Sequence, residues 1–271
     1  MNGASREALA AARERLDALT DATAVDAAKL ADELAAVTAL LDREVSLRRV
    51  LTDPAQAGEA KAQLVQRLLG TQVSGETADL VSGMVRSRWS QTRDLVDALE
   101  ELANTADLTA AQKAGTLDDV EDELFRFGRV VSSSTELRAA LTDRSATTAA
   151  KSELLRSLLG GKAKPTTERL VTRLVTAPRG RSLEAGLESL SKLAAERRDR
   201  MVAVVTSAVP LSDPQKQRLG AALAKLYGRR MHLNLDVDPE VLGGIRVQVG
   251  DEVINGSLAD RIADAERRMA S

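Results

Sequence analysis

No cysteine occurs in the sequence, histidine occurs once, and the aromatic residues are two Phe, one Tyr and one Trp. The first absence excludes disulfides, iron–sulfur clusters and thiolate zinc sites. The second leaves His232 without a companion for a His-rich metal site or for a nucleophile–base pair. The third leaves the cores to Ala, Leu and Val, which favours closely packed helices over a large β-sandwich. A charge excess of one sign is missing too, since 38 basic residues face 40 acidic ones. Nucleic-acid binding needs a concentrated basic face, so none is expected. No apolar run approaches the roughly 18 residues of a membrane span. The N-terminal "MNGASREALAAARERL" turns amphipathic and charged at once, unlike a signal peptide. These absences point to a cytoplasmic chain with no direct membrane insertion, no metal and no cofactor. Its 271 residues give room for two or three domains.

What the sequence has is an internal repeat. "DELAAVTALLDREVSLRRVLTDPAQAGEAKAQLVQRLLG" (Asp32 to Gly70) matches "DELFRFGRVVSSSTELRAALTDRSATTAAKSELLRSLLG" (Asp122 to Gly160) at an offset of 90 without a gap. Identical pairs include Leu47/Leu137, Arg48/Arg138, Asp53/Asp143, Lys61/Lys151 and Gly70/Gly160. The match continues through Leu80/Leu170 and Val81/Val171. After one inserted residue it persists at Leu99/Leu190 and Leu102/Leu193. Two copies are too few for a solenoid. The pattern predicts two similar helical bundles in tandem.

In the first copy, apolar residues fall at helical spacing in five successive stripes, from Leu30–Leu41 to Leu95–Leu102. Pro54 breaks the chain between two of them. Gly70 fits the left-handed position that often ends a helix. An amphipathic helix carrying Leu9, Ala12, Leu16 and Leu19 precedes these stripes. Its alanine face (Ala8, Ala11, Ala12, Ala18) admits two readings: packing inside its own bundle, or one wall of a groove for a partner helix. The second copy lacks an equally clear first helix, and the short "LTAAQKAG" (Leu108 to Gly115) occupies that place. Trp89 reads as a helix-cap or core contact. "ERRDR" (Glu196 to Arg200) and "GRR" (Gly228 to Arg230) read as solvated ends.

From Met201 the period changes. "MVAVVTSAV" is strand-like, and a helix follows with Ser212 or Asp213 as its N-cap and Pro214 near its start. "MHLNLDV" and "GIRVQV" alternate as half-buried strands. Gly250-Asp251 fits a two-residue hairpin turn to a strand at Val253-Ile254. "NGS" then turns the chain into a closing helix with Leu258, Ile262 and Ala265 on one face. The expected fold is mainly α, two tandem helical bundles followed by a small α+β domain with a four-stranded mixed sheet. The boundaries are 1–106, 107–199 and 200–271.

Chemical readings of this last region fail. A phosphate loop needs strand, glycine turn and helix in that order, whereas Gly243-Gly244 precede a strand. Asp236, Asp238 and Glu240 lack the glycine and the closing glutamate of an EF-hand loop. The glycines and turn residues, Gly243, Gly244, Gly250, Asp251, Asn255 and Gly256, therefore read as backbone devices.

The ordered combination is itself informative. Ala208–Leu211 ("A-V-P-L"), Asp238-Pro239, Gly243-Gly244 and "GDEVINGS" (Gly250 to Ser257) closely resemble the C-terminal region of the ATP synthase delta subunit family, equivalent to the mitochondrial oligomycin-sensitivity-conferring protein. One departure is Asn255, where the family usually has Asp, and both residues suit a turn. The helical part is similar to the family's N-terminal bundle, and the extra length looks like a duplication of it. The resemblance implies a non-catalytic stator component, one copy per complex, on the cytoplasmic face of the cell membrane. It would link the catalytic head to the peripheral stalk of a proton-driven rotary synthase. It implies an alpha-subunit groove involving Leu9, Ala12, Leu16, Leu80, Val81, Met84 and Val85. It implies a b-subunit contact at Leu258, Ile262 and Met269. The rival expectation is a generic helical adaptor sharing only the C-terminal module. The weak first helix of copy two favours copy one as the alpha binder.

Overall fold

A computed structural model describes residues 1–21, 25–198, 201–227, 231–238, 244–249 and 252–255. The chain divides into two compact units, Met1–Arg197 and Arg198–Ser271.

The first unit is helical throughout its described length. It contains α1 (Gly3–Asp21), α2 (Ala27–Arg43), α3 (Val45–Thr52), α4 (Gly58–Leu69), α5 (Gly75–Arg86) and α6 (Thr92–Lys113). Then come α7 (Leu117–Ser133), α8 (Thr135–Thr142), α9 (Thr148–Leu159), α10 (Pro165–Thr176) and α11 (Leu183–Arg198). Adding 90 to the limits of α2, α3, α4 and α5 gives those of α7, α8, α9 and α10. The repeat read in the sequence is thus a repeat of helices.

The same side-chain device holds both copies. In the first, the Glu33 carboxylate accepts hydrogen bonds from the Ser74 backbone N–H and hydroxyl (3.1 and 2.6 Å) and from the Thr77 hydroxyl (2.5 Å). In the second, Glu123 accepts from the Lys164 backbone N–H (2.9 Å) and the Thr167 hydroxyl (2.5 Å). A carboxylate on the second helix of each bundle therefore anchors the start of the fifth, where unpaired N–H groups and the helix dipole favour negative charge. Burial alone would raise the Glu33 carboxyl. The Ser74 and Thr77 hydrogen bonds, with nearby Lys29, bring it below its ordinary value.

Each bundle has its own core. The first gathers Leu16, Leu30, Leu34, Leu80, Val81, Leu95, Leu99 and Ala106 among others, and the second starts at Leu108 and includes Leu124, Leu155, Leu170 and Leu190. Both cores meet one continuous helix. α6 runs from Thr92 to Lys113 without a break, and its burial passes from the first core to the second between Ala106 and Leu108. The expected separate first helix at Leu108–Gly115 is corrected on this point. Leu108–Lys113 is the last turn and a half of α6, and Gly115, with φ 67°, follows its C-cap Ala114. Shifted by 90 residues, α1 falls on 93–111, inside α6. One helix therefore closes the first bundle and opens the second.

Gly70 corrects a second expectation. Its φ of −60° and ψ of −17° are right-handed. A Cβ there would lie 2.5 Å from the Gln66 carbonyl oxygen, and one at Gly160 would lie equally close to the Arg156 oxygen. Both repeat glycines serve close backbone approach, and the left-handed residue of the second turn is Gly161, with φ 71°.

Trp89 is a core contact, as read. It is buried in the first core and its indole N–H donates to the Met84 carbonyl at 2.8 Å, near the end of α5.

The second unit contains β1 (Met201–Ser207), α12 (Asp213–Tyr227), β2 (Met231–Val237), β3 (Ile245–Val249) and β4 (Glu252–Asn255). The sheet order is β2-β1-β3-β4, with β1 parallel to β2 and antiparallel to β3. α12 makes the crossover that a parallel pair requires. Ser212 precedes that helix and donates to the Gln215 side chain from both backbone and hydroxyl, half of a capping box. Val205, Leu223, Val247 and Val249 form the core. Leu235 and Val237 of edge strand β2 are exposed, so the alternation there buries less than its pattern suggested. Val249 pairs with Glu252, while Gly250 and Asp251 lie outside the described residues.

Candidate functional site

Leu9, Ala12 and Leu16 of α1 and Leu80, Val81, Met84 and Val85 of α5 all lie in the first core. They are buried because α1 and α5 pack against each other and share the core with α6. These seven residues are therefore the floor beneath the α1–α5 seam. The solvent side of that seam is made of other residues. A Cβ placed on Gly83 would sit 3.7 Å from the Arg15 guanidinium, so Arg15 lies over Gly83. Ala11 and Ala18 share the Arg15 face at helical spacing and are exposed. Small side chains on both walls let another backbone approach closely.

The matching seam of the second bundle lies between α6 and α10, and it is built differently. Arg169 and Arg173 of α10 stand where Asp79 and Gly83 stand in α5. Arg169 donates to Asp107 Oδ1 at 2.9 and 2.5 Å, and Arg173 to Asp107 Oδ2 at 2.9 Å. Arg173 also donates to Asn104 Oδ1 at 2.7 Å. The Asp107 side chain is fully buried. Burial pushes its carboxyl above the ordinary value, against the pull of Arg173 and Arg169. The two guanidinium groups bridge α6 to α10 and occupy the seam.

At the first seam the matching groups do not form this bridge. Asp79 accepts from Gln66 (3.1 Å), Gly83 has no side chain, and Asp17, the counterpart of Asp107, pairs with Arg197 at 2.7 Å. Arg197 also donates to Gln112 at 2.7 Å. The reading of "ERRDR" as a solvated end is therefore corrected at Arg197, which is buried and ties the end of α11 to α1 and α6.

More arginines fasten the second bundle to α6. In the turn Pro178–Gly180 both Arg179 (φ 47°) and Gly180 (φ 80°) are left-handed. This turn brings Arg179 onto Glu100, where Arg181 also binds at 2.5 Å. The Arg179 carbonyl accepts from Arg93. Arg13 of α1 binds Glu101 on α6 at 2.6 Å. Burial raises the Glu101 and Asp97 carboxyls, with Arg13 and Arg179 respectively opposing the rise. No periodicity in the sequence marks this set, because Arg13, Arg179 and Arg181 meet carboxylates far away along the chain.

In the second unit, Gly244 has φ 150°, a backbone state that favours glycine, and leads directly into β3. Asn255 is the last residue of β4, opposite Arg246. Gly243, Gly250, Asp251 and Gly256 lie outside the described residues, as do Leu258, Ile262 and Met269. The His232 side chain is likewise not described. Among the described residues no group of three or more His, Cys, Asp or Glu could hold a metal ion. No described helix is long and apolar enough to cross a membrane.

Comparison with known proteins agrees with the doubled architecture. The model of the family described as ATP synthase delta (OSCP) subunit matches residues 17–110 and again residues 105–269. The two matches overlap within α6, the shared helix. ATP synthase subunit delta of Streptomyces coelicolor is 85% identical over 100% of this chain and 99% of its own length. That of Streptomyces griseus is 82% identical over 100% of both chains. That of Thermobifida fusca is 50% identical, again over 100% of both. The chain belongs to the ATP synthase delta (OSCP) subunit family, as a long form with a duplicated N-terminal helical bundle.

Proposed function

We propose that this protein is a non-catalytic stator component of a rotary F-type ATP synthase. It holds the catalytic head to the peripheral stalk, so that the head does not turn with the rotor and proton flow is coupled to ATP synthesis. Family membership supports the role as a synthase subunit. In this reading the α1–α5 seam receives the N-terminal helix of an alpha subunit. The C-terminal unit meets the b subunit through Leu258, Ile262 and Met269. The assembly sits peripherally on the cytoplasmic face of the cell membrane.

One observation favours the first bundle over the second as the alpha site. At Gly83 only the exposed Arg15 side chain lies over the α1–α5 seam, whereas Arg173, the counterpart of Gly83, joins Arg169 and the buried Asp107 to fill the α6–α10 seam. The choice of copy one now rests on this difference, because α6 gives copy two a complete first helix. An incoming helix would cover Ala11, Ala18 and Gly83. It would gain from apolar burial at about 25 cal/mol per Å² and would displace the exposed Arg15 side chain from over Gly83.

The test is calorimetric titration of the full chain with a synthetic alpha N-terminal helix. Gly83→Arg should weaken binding at least about tenfold, roughly 1.4 kcal/mol. Arg173→Gly should not weaken it. Unchanged affinity in Gly83→Arg would remove the α1–α5 seam as the site. Absence of binding in the parent chain would favour the generic-adaptor alternative.

A further inference from the structure

The repeat exposes a second surface with a different character. In the first bundle, α2 and α6 are the most closely packed pair of helices, and Ala35, Thr38 and Leu40 are turned against the core or buried. Their counterparts on α7 are Phe125, Gly128 and Val130. Phe125 is 61% and Val130 51% exposed, and a Cβ on Gly128 would meet nothing within 4 Å. α7 and α11 make no comparably close approach. A groove of about 770 Å³ lies between them. Exposed aromatic and β-branched side chains beside such a groove mark a surface made to be covered.

The first bundle indicates what chemistry covers it. The groove wall on α11 carries Glu184, Leu187 and Glu188. With the one-residue insertion these match Arg93, Val96 and Asp97 on α6. That face of α6 is covered from within the chain by Arg179 and Arg181, which bind Glu100 and attract Asp97. Arg179 also donates to the Val96 carbonyl. In the second bundle the same face has two exposed glutamates flanking Leu187. Arg138 reaches Glu184 at 3.5 Å, and Glu188 is left facing the groove. Among the lining residues Glu184, Glu188 and Arg129 leave an acidic excess of one, and Arg138 meets Glu184 from outside the lining.

We propose that the α7–α11 groove docks a basic amphipathic helix of another protein. Its apolar stripe covers Phe125, Gly128 and Val130, and its lysines or arginines meet Glu184 and Glu188. This mode combines helix-in-groove burial with charge complementarity.

The probes are two synthetic amphipathic helices, one Leu/Lys and one Leu/Glu, titrated into the full chain by fluorescence anisotropy. The Leu/Lys helix should bind, and the Leu/Glu helix should bind at least about tenfold more weakly. Glu184→Lys/Glu188→Lys should reverse that preference. Gly128→Trp fills the groove without altering charge and should weaken the Leu/Lys helix by a similar factor. Glu14→Lys/Asp32→Lys changes the same charge on the first bundle and should have no effect. Equal binding of both peptides, or binding unaffected by Gly128→Trp, overturns the proposal. So does failure of the Leu/Lys helix to bind. A concentration-dependent dimer that Phe125→Asp abolishes would assign the groove to a second copy of the chain and also overturn it.

Discussion

The two bundles share four helix lengths, one carboxylate anchor and one whole helix, yet they differ at both of their outer seams. At Gly83 the α1–α5 seam is covered by the exposed Arg15 side chain alone, while the α6–α10 seam is filled by Arg169, Arg173 and Asp107. Conversely α2 and α6 are tightly closed, while α7 and α11 leave a groove. The two copies thus keep the framework and differ in what lines their seams. The difference follows from few substitutions. Arg169 and Arg173 stand where the first seam has Asp79 and Gly83, and Phe125 and Gly128 stand where α2 has Ala35 and Thr38.

The largest expected effect comes from breaking the filled seam. Asp107→Ala leaves Arg169 and Arg173 without their buried partner. It should destabilise the helical unit by about 3 kcal/mol, near the low end for a broken buried pair, since Arg169 is partly exposed. Urea unfolding followed by circular dichroism measures it. A loss under about 1 kcal/mol would show that the bridge is a surface pair in effect.

A smaller effect is expected where the bundles agree. Glu33→Gln and Glu123→Gln should each cost about 1–2 kcal/mol, because each removes a charged acceptor from a helix start. The two losses should match, and unequal losses would mean that the anchors are not equivalent. The Glu33 carboxyl is lowered in the folded protein. Its stabilising contribution is therefore complete above the ordinary carboxylate value and is lost as pH falls through the lowered one. Glu33→Gln should flatten that part of the acid limb in a pH series of unfolding midpoints.

The smallest effect concerns a feature present in one bundle alone. Trp89→Phe removes the hydrogen bond to the Met84 carbonyl while keeping most of the buried surface. It should cost about 1 kcal/mol, and thermal unfolding reads it. It should leave the second bundle unaffected in hydrogen exchange, since Trp89 belongs to the first core.

Much of this architecture was legible in the sequence. The offset of 90 carried over to the limits of four helix pairs, because local periodicity and capping fix those helices within each copy. The period-two stretches after Met201 became the strands of a mixed sheet. The double role of α6 was harder to read. It is buried on most of its circumference, so its apolar residues form no single stripe, and "LTAAQKAG" looked like a separate short helix. The absence of any Gly or Pro between Thr92 and Lys113 was the available signal. Arg197, Arg169 and Arg173 were illegible as partners. Their carboxylates lie from 62 to 180 residues away, and charge runs carry no mark of burial. Of the expected groove residues, the apolar pattern found the floor. The small residues that line the seam above it, Gly83 foremost, carry no periodic mark and stand out only against their counterparts, such as Arg173, in the second bundle.

The most direct measurement is the stoichiometry of the alpha N-terminal helix on the full chain, by titration calorimetry. One helix should bind the parent chain, and opening the second seam with Asp107→Asn/Arg169→Gln/Arg173→Gly, which leaves no unpaired buried charge, should raise the number to two. Two helices on the parent chain, or a single site abolished by opening the second seam, would contradict the assignment of the open and filled seams.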